Sequence, residues 1–299
     1  MNKGILGLII AGGVLLTVGG VVLAVALANN AFNKQKYVTN EYVIEDAFSD
    51  ISIDNAVADI KFEASSDGQT KVVCIDKEKL YHEASVVNGA LTVTQIDKLT
   101  GFDKMFGYNG NLKVTVYLPE GTYGDLSIKS TTGHIYLNNE YTFKAVNLET
   151  STGDIYLEKV AASEDVKIKT STGDRSIKGM TCKDMVMESS TGDQHYENVN
   201  CQNITIKAST GKLTFVEFIA EKHFESNGDT GKVSFRNSDA ETLKIKTSTG
   251  NVVGNLLTNK IFRVKTSTGK VTLPEERTGG LCEIETSTGD INISIGRID

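Results

Sequence analysis

Several features that accompany common protein functions are scarce or absent in this sequence of 299 residues. It has no tryptophan, two prolines and four histidines, and its net charge is −7 at neutral pH. A nucleic-acid-binding surface needs an excess of basic residues, so that class of partner is not expected. The sequence also lacks a Gly-x-Ser-x-Gly motif, a phosphate-binding loop and a His-Glu-x-x-His motif. Its 28 glycines are typical of a turn-rich β protein rather than a disordered chain.

The sequence does contain one short phrase repeated nine times. A glycine preceded by a threonine recurs every 19 or 20 residues, at Gly133, Gly153, Gly173, Gly192, Gly211, Gly231, Gly250, Gly269 and Gly289. A fixed period of this length is typical of a solenoid, in which each repeat forms one coil. Glycine suits the corner of a coil because it adopts positive φ angles without a Cβ clash. We therefore interpret the nine glycines as structural turn residues.

Apolar and polar residues alternate on both sides of each glycine, as with Val146, Leu148, Ile155 and Leu157 around Gly153. A period of two predicts strands with one buried face. The exceptions in these columns are Arg175, Gln194, Ser226 and Gly254. A weaker apolar column seven residues after the glycine predicts a third side, formed by Val160, Met180, Val199, Phe218 and Leu257. We predict an all-β, right-handed parallel β-helix with coils of 19–20 residues, since parallel crossovers are nearly always right-handed.

Two of the four cysteines, Cys182 and Cys201, lie nine residues after a repeat glycine and should be neighbours on adjacent coils. Alanines occupy this position in three other coils, which favours a small buried residue and hence two free thiols. The alternative is a disulfide, because a coil spacing of about 4.8 Å suits bridged cysteines. Cys74 and Cys282 have no evident partner, and without a Cys-x-x-Cys motif a zinc site is not expected.

An uncharged apolar run from Ile5 to Leu27 is long enough to span the hydrocarbon core of a bilayer. We expect an uncleaved transmembrane helix within residues 1–28. The alternative is a cleaved signal peptide, because residues 26–28 form a small-x-small cleavage site. Lysines flank the run on both sides, so the positive-inside rule does not set its orientation. The remaining divisions are a polar tether at 29–36, an irregular β region with an N-terminal cap at 37–124 and a nine-coil solenoid at 125–299.

The two ends of the solenoid differ. Residues 51–62 look like a degenerate first coil, with Ala58-Asp59 where later coils have Gly-Asp. The apolar loop 100–111 is expected to cover this end as a cap, or alternatively to touch a membrane or a partner. The strand at 291–295 is followed by only four residues. We expect it to be an open edge through which chains self-associate.

The residue after each repeat glycine is predicted to point outward. In three successive coils it is an aspartate, and Asp154, Asp174 and Asp193 form a weak candidate set for a divalent cation. A solvated face is the simpler interpretation, because one carboxylate per coil is few for calcium. Tyr136 and Tyr156 should stack outward on adjacent coils and are candidate contacts for a sugar ring. We predict no catalytic residue and no cofactor.

An N-terminal apolar segment followed by coils of the type Ile-Lys-Thr-Ser-Thr-Gly-Asp, as at 168–174, resembles the bacterial putative-adhesin family with the Toastrack β-solenoid domain. The resemblance covers roughly residues 40–295. It implies a membrane-anchored cell-envelope protein whose outward-facing β-solenoid acts without catalysis in adhesion or in sensing envelope stress. Its partners would be envelope proteins or glycans. The alternatives are a protein that binds cell-wall or surface glycan and a polysaccharide-cleaving enzyme, the latter on architecture alone.

Overall fold

The computed structural model describes residues 36–101, 111–275 and 278–298. None of these residues is helical, so these ranges contain no helix that is long and apolar enough to cross a membrane. The apolar run at the N-terminus and most of the expected cap loop lie outside the described residues. The strands are β1 (Tyr37–Ile44), β2 (Asp50–Asn55), β3 (Asp59–Ala64), β4 (Thr70–Lys77), β5 (Leu80–Val87), β6 (Ala90–Asp97), β7 (Lys113–Leu118), β8 (Gly121–Thr122), β9 (Leu126–Thr132), β10 (Ile135–Phe143), β11 (Val146–Thr152), β12 (Ile155–Ala162), β13 (Val166–Thr172), β14 (Arg175–Thr191), β15 (Gln194–Thr210), β16 (Leu213–Thr230), β17 (Val233–Thr249), β18 (Val252–Leu256), β19 (Lys260–Thr268), β20 (Val271–Thr272), β21 (Gly280–Thr288) and β22 (Ile291–Ile295).

The strands wind into an all-β solenoid of right-handed type, as the repeat predicts, with about eight turns where nine coils were expected. In each coil one strand ends at the threonine before the corner glycine, and the next strand begins two residues after that glycine. Equivalent strands of neighbouring coils pair in parallel and in register. Leu148 in β11, for example, lies beside Ile128 in β9 and Ile168 in β13. Each coil is named below by its corner glycine.

The apolar columns form one continuous core. All nine residues that lie seven positions before a corner glycine are buried. The third column is confirmed at Val160, Met180, Val199 and Phe218, which are at most 1% exposed. In the coil of Gly250, however, Leu256 is buried and the predicted Leu257 is only half-buried. Within the apolar columns on either side of the corner glycines, the side chains that stay partly or largely exposed are Val264, Val271 and Leu273, all in the coil of Gly269.

The main corner is built so closely that only glycine fits. Gly192 has a φ of 140°, and a Cβ at this position would overlap the carbonyl oxygen of Gly173 in the neighbouring coil. The same overlap recurs from corner to corner along the stack. Eight of the nine corner glycine amides also donate to the carbonyl oxygen of the threonine before the neighbouring corner, as Gly173 does to Thr191 at 3.0 Å. The Thr-Gly phrase therefore lets successive backbones touch at the corner.

A second corner, which the repeat analysis missed, lies six residues after the corner glycine. The backbone there is left-handed, with φ of 58° at Lys159, 65° at Gly179, 53° at Asn198, 50° at Glu217 and 51° at Asn237. Gly and Asn are common in this conformation, whereas other side chains are not. The column gave no sequence signal because Lys and Glu interrupt it.

Replacing Lys159 with glycine at this second corner is expected to raise the free energy of unfolding by about 0.5–1 kcal/mol. The left-handed conformation costs a residue with a Cβ roughly 1–2 kcal/mol, which exceeds the extra entropy that glycine loses on folding. Urea denaturation measures the change. The matched control is Lys167→Gly, at an exposed position in β13 without a positive φ, which should be destabilising. Loss of stability in both variants would contradict the strain at Lys159.

The N-terminal end of the stack begins as the degenerate coil interpretation expected. β2 and β3 pair in parallel with β9 and β10, and Ala58 takes the place of a corner glycine below Gly133. A further layer, β6 and β7, stacks in parallel on β2 and β3. β5 and β4 then pair antiparallel with β6 and β7, and β1 pairs antiparallel with β4. This change of direction ends the parallel ladder.

The C-terminal end departs from the expected order. β21 pairs with β17 on one side and with β19 on the other, and β22 lies between β18 and β20. The coil of Gly289 is therefore inserted between those of Gly250 and Gly269. β20 pairs only with Ile291 and Asn292, so the expected open edge at 291–295 is covered in part, and self-association through it stays a prediction. The outermost strand at this end is β19, in a coil that precedes the last one in sequence.

A pair of adjacent glycines allows this insertion. A Cβ on Gly279 would overlap the carbonyl oxygen of Asn259, and one on Gly280 would overlap that of Glu241. The chain therefore passes between two neighbouring backbones at a point where only glycine fits. Because the chain keeps its sense of rotation but steps back by one coil, this single turn has the opposite hand to the rest of the solenoid, an uncommon arrangement.

Charge alternation across the last three coils favours this order. Glu285 lies between Lys246 and Lys265, at 3.8 and 3.9 Å, and Glu283 lies between Lys244 and Arg263. Stacking in sequence order would place Lys246 beside Lys265 and Lys244 beside Arg263. Like charges directly opposite one another on a sheet are unfavourable. In the observed order neither of these like-charge pairs is formed, and each glutamate lies between two basic residues.

Cys182 and Cys201 are joined by a disulfide between adjacent coils, with a Cα separation of 4.7 Å. The expectation of two free thiols is therefore wrong, and the alternative is correct. The register of β14 and β15 places the two residues directly opposite each other. Cys74 and Cys282 are free and buried.

Candidate functional site

The residues that directly follow the corner glycines form a ladder, in which the side chain of one coil bonds to the backbone of the next. The Asp154 carboxylate accepts the amide of Asp174 at 2.7 Å, Asp174 accepts that of Asp193 at 2.7 Å, and Asp193 accepts that of Lys212 at 2.8 Å. In the preceding coil His134 makes the equivalent contact, because its Nδ1 accepts the amide of Asp154 at 3.0 Å. One oxygen of each aspartate is thus bonded to a neighbouring coil. This accounts for stacked carboxylates without a bound cation.

Tyr136 and Tyr156 lie directly opposite each other in β10 and β12, and their rings stack. The ring centroids are 5.0 Å apart and the ring planes differ by 3°. The Tyr156 hydroxyl donates to the second oxygen of Asp154 at 3.1 Å, which fixes its direction. Burial, with the nearby Asp154 charge, raises the pKa of both phenols. Two parallel, half-exposed rings with neutral hydroxyls form a flat platform of the kind on which a sugar ring can pack.

The corner phrase presents a second regular surface. Of the three residues before each corner glycine, the first is buried in seven of the nine coils, as with Thr150 and Thr170, which are 2% and 3% exposed. The next two residues are exposed in every coil. Nine threonines therefore form an outward row, with an adjacent row that is mostly serine. Some inward hydroxyls bond to backbone, as Thr286 does to the carbonyl of Gly250 at 3.3 Å. Those of Thr170 and Ser189 have no partner among the described residues.

A charged cleft of about 610 Å³ lies on the outer face of the last four coils. Its three carboxylates are each paired with a lysine or arginine, as in the 2.9 Å contact between Glu225 and Lys244. This hydrogen bond holds the pKa of Glu225 below its usual value. A carboxyl group that stays ionised at neutral pH is poorly suited to act as a general acid. The cleft therefore resembles a salt-bridged sheet surface more than a catalytic site.

A buried polar cluster in the N-terminal cap was missed by the sequence analysis. Cys74 and Asp76 in β4 and His82 in β5 are all 0% exposed. Burial raises the pKa of the Cys74 thiol to about 12, and the Asp76 charge adds to this effect. The available signal was the alternation of Cys74 and Asp76 on one strand face. His82 lies just across the turn between β4 and β5. Since the three side chains are closed off from solvent, they cannot reach a polymeric substrate.

The comparisons with known proteins agree with the fold. The Toastrack DUF4097 family profile matches residues 48–222 and 216–297. A putative adhesin from Bacteroides fragilis has a TM-score of 0.52 at 15% identity over 87% of this chain and 97% of its own. A putative adhesin from Parabacteroides distasonis has a TM-score of 0.48 at 15% identity, over 75% of this chain and 98% of its own.

A third solved structure, called a putative lipid binding protein from Parabacteroides distasonis, has a TM-score of 0.35 at 14% identity, over 87% of this chain and 97% of its own. At these identities the likeness concerns the fold alone. No curated protein matches the sequence. The family profile, in contrast, matches most of the chain in two segments that together contain all nine corner glycines. The chain belongs to the Toastrack DUF4097 family.

Proposed function

We propose that this chain is a membrane-anchored, extracytoplasmic scaffold that binds other envelope components without catalysing a reaction. The observation that carries the proposal is the regularity of its surface. Outward side chains such as Asp154, Asp174 and Tyr156 are held in register by neighbouring coils. A rigid, repeating surface of this kind suits recognition of an extended partner. The relatives called putative adhesins support a role in adhesion by analogy, and a part in the response to envelope stress belongs to the same proposal.

The proposal that the chain is not an enzyme rests on what its outer faces carry. Within the described ranges, the histidines on the outer faces are paired with other groups. His134 bonds the ladder, and His195 contacts Glu197 at 3.4 Å. The cluster of thiol, carboxyl and imidazole in the cap is buried. An acid–base or nucleophilic mechanism needs such groups within reach of a substrate.

Protease shaving of intact cells tests the location. Trypsin has sites at Lys34 and Lys36 in the proposed tether, so it should release the C-terminal region from the membrane into the medium. The matched control is a Lys34→Gln/Lys36→Gln variant, from which release should be much slower. Protection of the chain in intact cells, with cleavage only after lysis, would place the solenoid in the cytoplasm. Both the adhesion and the glycan proposals would then fail.

The stacked tyrosines favour a second candidate function, binding of cell-wall or surface glycan. If the platform packs against sugar rings, a Tyr136→Ala/Tyr156→Ala variant should lose most of its binding to purified wall glycan in a sedimentation assay. Stacking contacts of this type contribute roughly 0.5–1.5 kcal/mol each, so a loss of about 10-fold is expected. Tyr117→Ala is the matched control, because Tyr117 is half-buried on β7 outside this column. Equal binding by the wild type and the double variant would exclude the platform.

A further inference from the structure

The buried cluster in the cap has the composition of a transition-metal site. Cys74 and Asp76 are two residues apart on β4 and face the same side, and His82 lies on the next strand of the hairpin. Their potential ligand atoms all lie within 4.8 Å of one another. All three residues are 0% exposed. The thiol, carboxylate and imidazole are therefore brought together inside the protein, although they come from two strands.

Hydrogen bonds fix which atoms of the cluster face inward. Asn55 receives the amide of Ala58 on its oxygen and donates its Nδ2 to the carbonyl of Ala58, so the orientation of its amide is set. His82 Nε2 lies 3.1 Å from that Asn55 oxygen and must therefore carry a hydrogen. His82 Nδ1 then faces Asp76 Oδ1 at 2.7 Å, with one proton between them.

The other oxygen of Asp76 accepts two hydrogen bonds, neither of them from a potential ligand atom. Its Oδ2 accepts the backbone amide of His82 at 2.9 Å and the side-chain amide of Asn40 at 3.1 Å. Asp76 and His82 are therefore each held by hydrogen bonds through one polar atom, Oδ2 in Asp76 and Nε2 in His82. Their other polar atoms, Asp76 Oδ1 and His82 Nδ1, face each other. Metal-ligating histidines and carboxylates are oriented by outer contacts of this kind.

We propose that Cys74 Sγ, Asp76 Oδ1 and His82 Nδ1 bind a zinc ion that joins the two cap strands β4 and β5. Zinc accepts sulfur, nitrogen and oxygen ligands at about 2.0–2.3 Å, which places ligand atoms roughly 3.3–3.8 Å apart in a tetrahedron. Calcium and magnesium prefer oxygen ligands alone. The thiolate and imidazole therefore select zinc or a similar transition metal.

The exchange of the bound proton for zinc balances in charge. Without metal, the neutral thiol, the Asp76 carboxylate and the proton shared with His82 sum to zero. Zinc binding releases two protons, one from the Cys74 thiol and one from between Asp76 and His82. The ion then carries +2 against one thiolate and one carboxylate, with a neutral imidazole. Both states are neutral, so neither leaves a net charge in the buried cap.

The location gives the ion a structural role. β4 and β5 form the antiparallel layer that ends the parallel ladder, and Asn55 lies at the corner of the first coil. A metal held by both cap strands would join this layer into one unit, with Asn55 connecting it to the stack. Solenoids need such end caps. The inference is independent of the proposed scaffold function.

The test is the metal content of the full chain, purified in detergent micelles from zinc-supplemented cells without chelators. Plasma mass spectrometry should find about one zinc per chain. Cys74→Ser should reduce this at least 10-fold, whereas Cys282→Ser should retain it, because Cys282 is a buried free thiol elsewhere in the stack. Refolding the wild type and Cys282→Ser with cobalt should give the strong near-ultraviolet band of a cobalt–thiolate bond.

The cobalt spectrum keeps the proposal testable even if Cys74→Ser does not fold. Absence of the band in wild-type protein, or its loss in Cys282→Ser, would overturn the site. Wild-type protein that folds with far less than one metal per chain would do the same. Full zinc content in folded Cys74→Ser would show that the metal lies elsewhere and would also overturn the proposal.

Discussion

Replacing Gly192 with alanine is expected to lower the free energy of unfolding by more than about 3 kcal/mol. Gly192 has a φ of 140°, which costs a residue with a Cβ roughly 1–3 kcal/mol. The new Cβ would also overlap the carbonyl oxygen of Gly173, which is part of the backbone and cannot move aside alone. Two coils must therefore separate in the middle of the stack, with loss of ladder hydrogen bonds and core contacts.

Urea denaturation of the wild type and the variant measures this effect. Gly121→Ala is the matched control, because Gly121 lies in a strand without a positive φ and a Cβ there would only reach 3.9 Å from Tyr123. That change should cost less than about 1 kcal/mol. Equal stability of the two variants would mean that the corners do not touch as described.

Replacing Arg175 with methionine is expected to raise the free energy of unfolding by about 1–4 kcal/mol, the opposite of most core changes. Arg175 is 1% exposed and lies in an inward column between Ile155 and Gln194. Its Nη1 contacts the Met187 sulfur at 3.8 Å, and its Nε and Nη2 have no partner among the described residues. Burial lowers its pKa, which reflects the cost of holding the charge there.

Thermal unfolding gives the comparison most directly, with an expected rise of roughly 2–4 °C per kcal/mol for a domain of this size. Arg263→Met is the matched control. Its side chain is 71% exposed and 3.5 Å from Glu283, so its loss should change stability little. A large loss of stability in Arg175→Met alone would show that the buried guanidinium has a counter-charge in the folded protein.

Much of the fold was predictable because the sequence repeats its physical constraints. The Thr-Gly corner and the inward columns recur in every coil, so a single exception such as Arg175 does not hide the pattern. The stack of Tyr136 on Tyr156 followed from the same register. In a solenoid, a position in the repeat fixes both the direction of a side chain and its neighbours.

The remaining features depend on contacts that the repeat does not encode. The order of the last coils is favoured by cross-strand charges and allowed by Gly279 and Gly280, which fall outside the columns. The second corner tolerates several residue types, so its composition is mixed. The cap cluster joins residues from different strands of a non-repeating region, where spacing alone does not reveal proximity.

Cross-linking of the last coils tests most directly the claim that the chain forms a stack with its final coils out of sequence order. In a Lys246→Cys/Glu285→Cys variant the two residues are register partners and should form a disulfide readily. In Lys246→Cys/Lys265→Cys they lie two coils apart, at roughly 9–10 Å, which is too far for a disulfide. Peptide mapping of the oxidised proteins distinguishes these outcomes. A bridge between positions 246 and 265, with none between 246 and 285, would contradict the described order.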